Sequence, residues 1–240
     1  MTSTSDNHTG EAHVQNVAQR LNWLRAGVLG ANDGIVSTAG VVIGVAAATP
    51  NNLVAIATAG IAAMVAGAFS MAGGEYVSVS TQRDTEKALI AKEKWELENM
   101  PEEELEELAG LYRDRGLSPD LAHKVAVELT AHDALAAHAE IELGINHEEF
   151  TSPWAAAISS FISFALGAII PLVMILLPFN GHRVWIAGVA VVIGLFLTGW
   201  ISAVLGGAPR GRAIARNIVM GTATMVATYV IGLLFGVAIS

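Results

Sequence analysis

Two groups of residues in this chain have the types and spacing for metal chemistry. One is Asp33, Met71 and Glu75, set in or at the edge of long uncharged runs. The other is Glu93, Glu96, Glu104, Glu107, His138 and Glu142, in the most acidic part of the chain. Glu93/Glu96 and Glu104/Glu107 are each three residues apart and His138/Glu142 four apart, so each pair shares a helix face. Three helices brought together would converge five carboxylates and one imidazole. Helices rich in Glu usually expose it, so the spacing also fits a solvated acidic surface. Met71 and Glu75, four apart, share a face as well. Two carboxylates and a thioether make an ion site biased towards softer transition metals such as Fe2+, where oxygen ligands alone would suit Mg2+ or Ca2+. Methionine fills apolar cores more often than it binds metal, so Met71 keeps both readings.

Composition narrows the chemistry. The chain has no cysteine, which removes thiolate metal sites, disulfides and Cys nucleophiles. It is 53% hydrophobic and only 15% charged, which points to a membrane protein. Between Asp84 and Glu149 there are 18 acids against 6 Lys/Arg, a balance that suits cations and argues against nucleic acid and anionic lipid as partners of this block. A ferritin-type di-iron site needs a Glu-x-x-His repeat; the acidic segment has none, the nearest being Asp120-Leu-Ala-His123. His123, His132 and His147 read as surface or capping residues. No phosphate loop, nucleophile elbow or dinucleotide fingerprint occurs, and no enzyme activity is expected.

The elements that must position these residues follow from apolar runs and breakers. Residues 1–23 read as a polar tail and a short interfacial helix around Val14–Trp23. Residues 24–82 hold two spans joined by the turn Thr49-Pro50-Asn51-Asn52. The first carries Asp33 between Gly30 and Gly34; an ionisable residue inside a span is costly and marks function. The second starts at Leu53 and, with no proline before Met100, continues as helix to about Glu98, roughly 69 Å at 1.5 Å per residue. The hydrocarbon core takes roughly 30 Å of that. Residues 83–150 form an acidic helical domain: the arm ends at Met100-Pro101, a second helix closes at Gly116, and a third begins at Ser118-Pro119 and stops at Gly144. The third helix is expected to bury Leu121, Val125, Leu129 and Leu135/Ala136. Residues 151–240 supply three more charge-free spans, Trp154–Leu177, with Pro171 as a kink, Val184–Leu205 and Asn217–Ile239. The fold class is an all-α membrane protein of five transmembrane helices, with a three-helix metal-binding domain inserted between helices 2 and 3.

Charge counting orients it. With the N-terminus inside, 12 Lys/Arg lie inside and only Arg183 outside, so the acidic domain is cytoplasmic. Asp33, Met71 and Glu75 then lie at similar depth near the cytoplasmic face. Burial raises a carboxylate's pKa and a bound cation lowers it, so metal binding expels protons and proton binding expels metal. That reciprocity supports proton–metal exchange. The competing readings are a membrane-anchored ferritin-like iron-binding protein or ferroxidase and a passive cation channel.

These residues together resemble the vacuolar iron transporter family over nearly the whole chain after the tail. The likeness lies in Gly30-Ala31-Asn32-Asp33-Gly34, in Ser70-Met71-Ala72-Gly73-Gly74-Glu75-Tyr76, and in the Glu93/Glu96/Glu104/Glu107 pattern. It extends to Glu142-Leu143-Gly144 and Gly167…Pro171-Leu172. The resemblance implies a homodimer with the ion path between subunits, lined by the first span. It implies Fe2+, with Mn2+ and related ions, exported from the cytoplasm against protons through Asp33 and Met71. Glu93, Glu96, Glu104, Glu107 and Glu142 match the family's soluble-domain ligands. Departures are Ala63 and Asn22, where plant-like members carry acids that bear on proton exchange, and His138, where they carry Met. The expected location is a bacterial-type plasma membrane.

Overall fold

The computed structural model describes residues 13–145, 151–179 and 181–239. The polar tail over residues 1–12 and His147 lie outside the described residues, as does the side chain of Asn22. Among the described residues the chain is helical without a strand. Its helices are α1 (His13–Ala48), α2 (Leu53–Asn99), α3 (Pro101–Asp114), α4 (Pro119–His138), α5 (Pro153–Leu176), α6 (Arg183–Leu205) and α7 (Arg210–Ile239). A π-helical turn, Ala139–Leu143, extends α4. Five helices are long and apolar enough to cross a bilayer: α1 from Arg25, α2, α5, α6 and α7 to Gly236. In α2 the first charge is Glu75, so residues 53–74 are an uninterrupted charge-free run of spanning length. No break separates the expected interfacial segment from the first span, because α1 runs through both.

The chain divides into two compact units, residues 1–76 with 153–240, and residues 77–152. In the first unit α1 is the central element. Gly34 lies against the backbone of Phe164, and Gly167 of α5 against the backbone of Ala31; a Cβ at either would meet the other helix's carbonyl oxygen. Small residues thus let α1 and α5 cross closely, as lipid-embedded helices require when no hydrophobic force joins them. Gly40 and Gly44 face Thr228 of α7, so they too serve close packing. Ile35, Ala39 and Val42 of α1, Ile175 of α5 and Val191 and Leu195 of α6 form the buried centre. Pro171 is buried inside an unbroken α5.

Outward from that centre the surface is apolar. Phe69, Leu166, Val219 and Leu234 are 66%, 62%, 64% and 66% exposed, and Trp154 and Trp185 66% and 77%. Apolar exposure on this scale is unfavourable in water and is what acyl chains cover. This is a multi-pass membrane protein.

The second unit holds the rest of α2, α3, α4 and the π turn. Leu108 and Ala109 of α3 pack on Ala126 of α4 and on Ala137. Of the expected stripe on α4, Leu129 packs against this cluster and Val125, Leu135 and Ala136 are half-buried, but Leu121 is 51% exposed, while Ala122 and Ala126 are fully buried. The α3–α4 contact is close, so the alanine face fits there and Leu121 does not. Met100 leaves the helical region before Pro101 and Gly116 closes α3 at φ +98, both as the sequence indicates. Ser118 precedes Pro119 at the start of α4, but its hydroxyl caps no amide.

Candidate metal site

α4 does not reach its end as a regular helix. Asp133 has φ −161 and ψ 96, which breaks the helical backbone, and its Oδ1 accepts the Ala136 amide at 2.9 Å. Aspartate thus acts as an N-cap inside the helix and restarts it along Ala134–Ala137. The restarted turn widens into the π-helical Ala139–Leu143 and stops at Gly144, whose φ of +64 suits glycine. Arg115 Nη2 donates to the Ile141 carbonyl at 2.9 Å, tying this segment to the end of α3. The outcome is that His138 turns inward to meet α2 and α3.

His138 is fully buried, and Glu93 and Glu104 are 3% and 4% exposed. His138 Nδ1 lies 2.8 Å from Glu93 Oε1, 3.5 Å from Glu104 Oε2 and 3.7 Å from Glu142 Oε2. One ligand atom from each of Glu93, Glu104 and His138 falls within 4.8 Å of the others. Among the described residues neither imidazole nitrogen nor Glu93 Oε1 has a hydrogen-bond partner, so the 2.8 Å approach is a contact without hydrogen-bond geometry. Buried polar atoms left this way are costly unless something satisfies them. A six-coordinate ion with bonds of about 2.1 Å has neighbouring ligands about 3.0 Å apart, close to these separations. The donor set, two or three carboxylates and an imidazole, suits Fe2+, Mn2+, Co2+ and Zn2+ more than the all-oxygen set of Mg2+.

Electrostatics agree with the geometry. Burial first, and then the charges of Glu142, Glu104, Glu96 and Glu107, push the Glu93 carboxyl up to about 7. Glu104 is also raised, by burial first and then by Glu107, Glu96 and Glu142, with Lys92 acting the other way. The nearby cation is committed elsewhere. Lys92 holds Glu96 with contacts of 2.6 and 2.7 Å, and that hydrogen bond is the chief cause of its raised pKa. Glu107 is exposed, and Glu142 reaches solvent. Of the six expected residues, Glu93, Glu104, His138 and Glu142 therefore converge directly. Glu96 and Glu107 act on the centre through their charge.

The membrane residues are less tightly gathered. Asp33 is half-buried in α1; Ser37 Oγ donates to its backbone carbonyl at 2.6 Å, and its carboxyl forms no ion pair among the described residues. Met71 packs against the cluster of Ala68, Phe164 and Ala168, the core role weighed for it. Glu75, with 11% of its side chain exposed, lies 4.0 Å from Arg25 Nη2. Residues that sequence reasoning missed are Lys92, Arg115, Asp133 and Arg25. Lys92 was readable, since it stands four before Glu96. Asp133 ahead of an alanine run is a cap signal in retrospect. The two arginines carry no local signal.

Five apolar helices and a second helical unit with a buried carboxylate–imidazole cluster define a class: multi-pass helical membrane proteins with a site that could hold a cation. The family model described as the VIT family matches residues 24–233, and the chain belongs to that family. An Acanthamoeba castellanii protein named vacuolar iron transporter is 44% identical over 227 residues, covering 94% of this chain and 83% of that protein. Vacuolar iron transporter homolog 1 of Arabidopsis thaliana is 34% identical over 91% of this chain and 86% of its own length. Vacuolar iron transporter homolog 1 of Oryza sativa subsp. japonica is 37% identical, over 95% of this chain and 80% of its own length.

Proposed function

We propose that this protein exports divalent transition-metal ions, Fe2+ foremost and Mn2+ and related ions beside it, from the cytoplasm by proton antiport. The observation that carries the reading is the buried Glu93–Glu104–His138 cluster, whose unpartnered atoms converge at ligand separations. Its setting in a family whose relatives are named iron transporters agrees with it. In this reading the acidic domain collects the ion in the cytoplasm, with Glu96, Glu107 and Glu142 supplying charge. The ion then passes Asp33, Met71 and Glu75 within the membrane.

The same residues give the proton its place. A carboxylate held near 7, as Glu93 is, exchanges a proton for a cation at neutral pH. The functional unit is a homodimer in the plasma membrane, with the N-terminus and acidic domain cytoplasmic. Gly73 and Gly74 of α2 have open space beside them, which is room for a second copy. Protein reconstituted in vesicles should take up Fe2+ and Mn2+, faster with an opposing proton gradient than without one. Uptake indifferent to the gradient would refute antiport; metal binding with no uptake would refute transport.

A further inference from the structure

Beside Asp33, a cavity of about 410 Å3 opens between α1, α6 and α7. Its polar lining is Arg25, Asn32, Ser202, Arg216 and Asn217: two guanidiniums, two amides and a hydroxyl, without a carboxylate. The sign is the reverse of a cation site. The level is set by the spans: α1 enters the membrane at Arg25, α6 leaves it at Leu205, and the α7 span begins at Arg210. By these spans the cavity opens at one end of the bundle, with Asn32 roughly 10 Å further in than Arg25.

The groups in it are available. Arg216 is exposed and forms no ion pair among the described residues. Arg25 has a carboxylate only at 4.0 Å, from Glu75, and 64% of its side chain is exposed. Asn217 Nδ2 reaches Thr198 only at 3.5 Å. Asn32 Oδ1 is buried without a hydrogen-bond partner, an acceptor waiting for a hydroxyl or amide hydrogen. Val28, Leu29 and Ala208 give the cavity an apolar wall. Arginine pairs recognise phosphate through paired hydrogen bonds, and basic recesses between spans recognise lipid headgroups.

We infer that this cavity binds the phosphodiester of an anionic phospholipid, Arg25 and Arg216 holding the phosphate. The inference stands apart from the transport reading and does not need it. The shared chemistry, a phosphate oxygen between two guanidiniums, is also offered by inorganic phosphate, so the experiment has an arm for each. Short-chain phosphatidylglycerol, short-chain phosphatidylcholine and inorganic phosphate are titrated calorimetrically into the full-length protein in uncharged detergent.

Phosphatidylglycerol should bind saturably and phosphatidylcholine and phosphate should not. The R25Q/R216Q variant should bind roughly tenfold more weakly or worse. The R210Q/R212Q variant loses the same formal charge outside the cavity and should bind as the unchanged protein does. Equal losses in the two double variants, or no preference for the anionic lipid, would overturn the proposal. Phosphate binding as tightly as the lipid would overturn the lipid assignment. If R25Q/R216Q does not fold, R216Q alone carries the test, since Arg216 is exposed and unpaired. Unchanged affinity in it would also overturn the proposal.

Discussion

Replacing Glu93 by glutamine tests the buried cluster quantitatively. Its carboxyl stands at about 7 where an ordinary glutamate titrates at 4.5. One pKa unit is about 1.4 kcal/mol, so ionising Glu93 in the metal-free fold costs on the order of 3 kcal/mol. The sign follows from proton counts. Between the unfolded and folded values the native state binds more protons, so the metal-free domain loses stability as pH rises towards about 7 and stays low above it. Glu93→Gln keeps the shape and removes the charge. It should therefore stabilise the metal-free acidic domain at about pH 8 and leave it nearly unchanged at about pH 5.

The full-length protein in detergent, treated with chelator, is followed by hydrogen exchange of the α3 and α4 amides, with intrinsic rates corrected for pH. At the higher pH the variant's exchange should be slower by up to roughly a hundredfold. The same variant should lose the protection that added Mn2+ or Co2+ gives the unchanged protein. A variant less protected than its parent at about pH 8, or a difference that does not change with pH, would refute the electrostatic account of this site.

Affinity for Co2+ should fall as pH drops through about 7, by up to roughly tenfold per unit below it, and calorimetry of Glu93→Gln should show a flatter profile. Asp33→Ala should abolish vesicle uptake while metal binding by the acidic domain persists; uptake at the parent's rate would remove Asp33 from the path. Asp133→Ala should cost about 1 kcal/mol of helix capping and weaken metal binding by misplacing His138, while Asp133→Asn, which keeps the cap, should bind nearly as the parent does. Gly167→Leu should destabilise the membrane unit by about 1–3 kcal/mol or more, read as a lower midpoint in thermal unfolding, because its Cβ meets the Ala31 carbonyl.

The helices were legible because their signals are local. Charge-free runs beyond 20 residues marked the last four spans and an apolar run interrupted by Asp33 the first, while Pro101, Gly116, Pro119 and Gly144 marked the breaks. The face-sharing pairs Glu93/Glu96 and His138/Glu142 were equally local. Which of them would be buried was not. That depends on the rotation of three helices about one another, and the rotation of the last is set by the break at Asp133 and the π turn after it. Neither changes the apolar period enough to be read. The same limit explains Leu121, where periodicity marked a face but not how closely α3 would approach it. In the membrane, Glu75 was legible as a carboxylate near an interface, while its neighbour Arg25 comes from a different span.

The segment that presents His138 is bounded by a broken backbone at Asp133 and a left-handed stop at Gly144, and Arg115 fastens it through one carbonyl. A piece so bounded is a latch. Ala137 and Ile141 of this piece pack with Leu108, so opening it also loosens the α3–α4 contact. Withdrawing His138 therefore means undoing the guanidinium clasp and the Ala137 and Ile141 contacts together, which ties the cluster to the packing of α3 on α4.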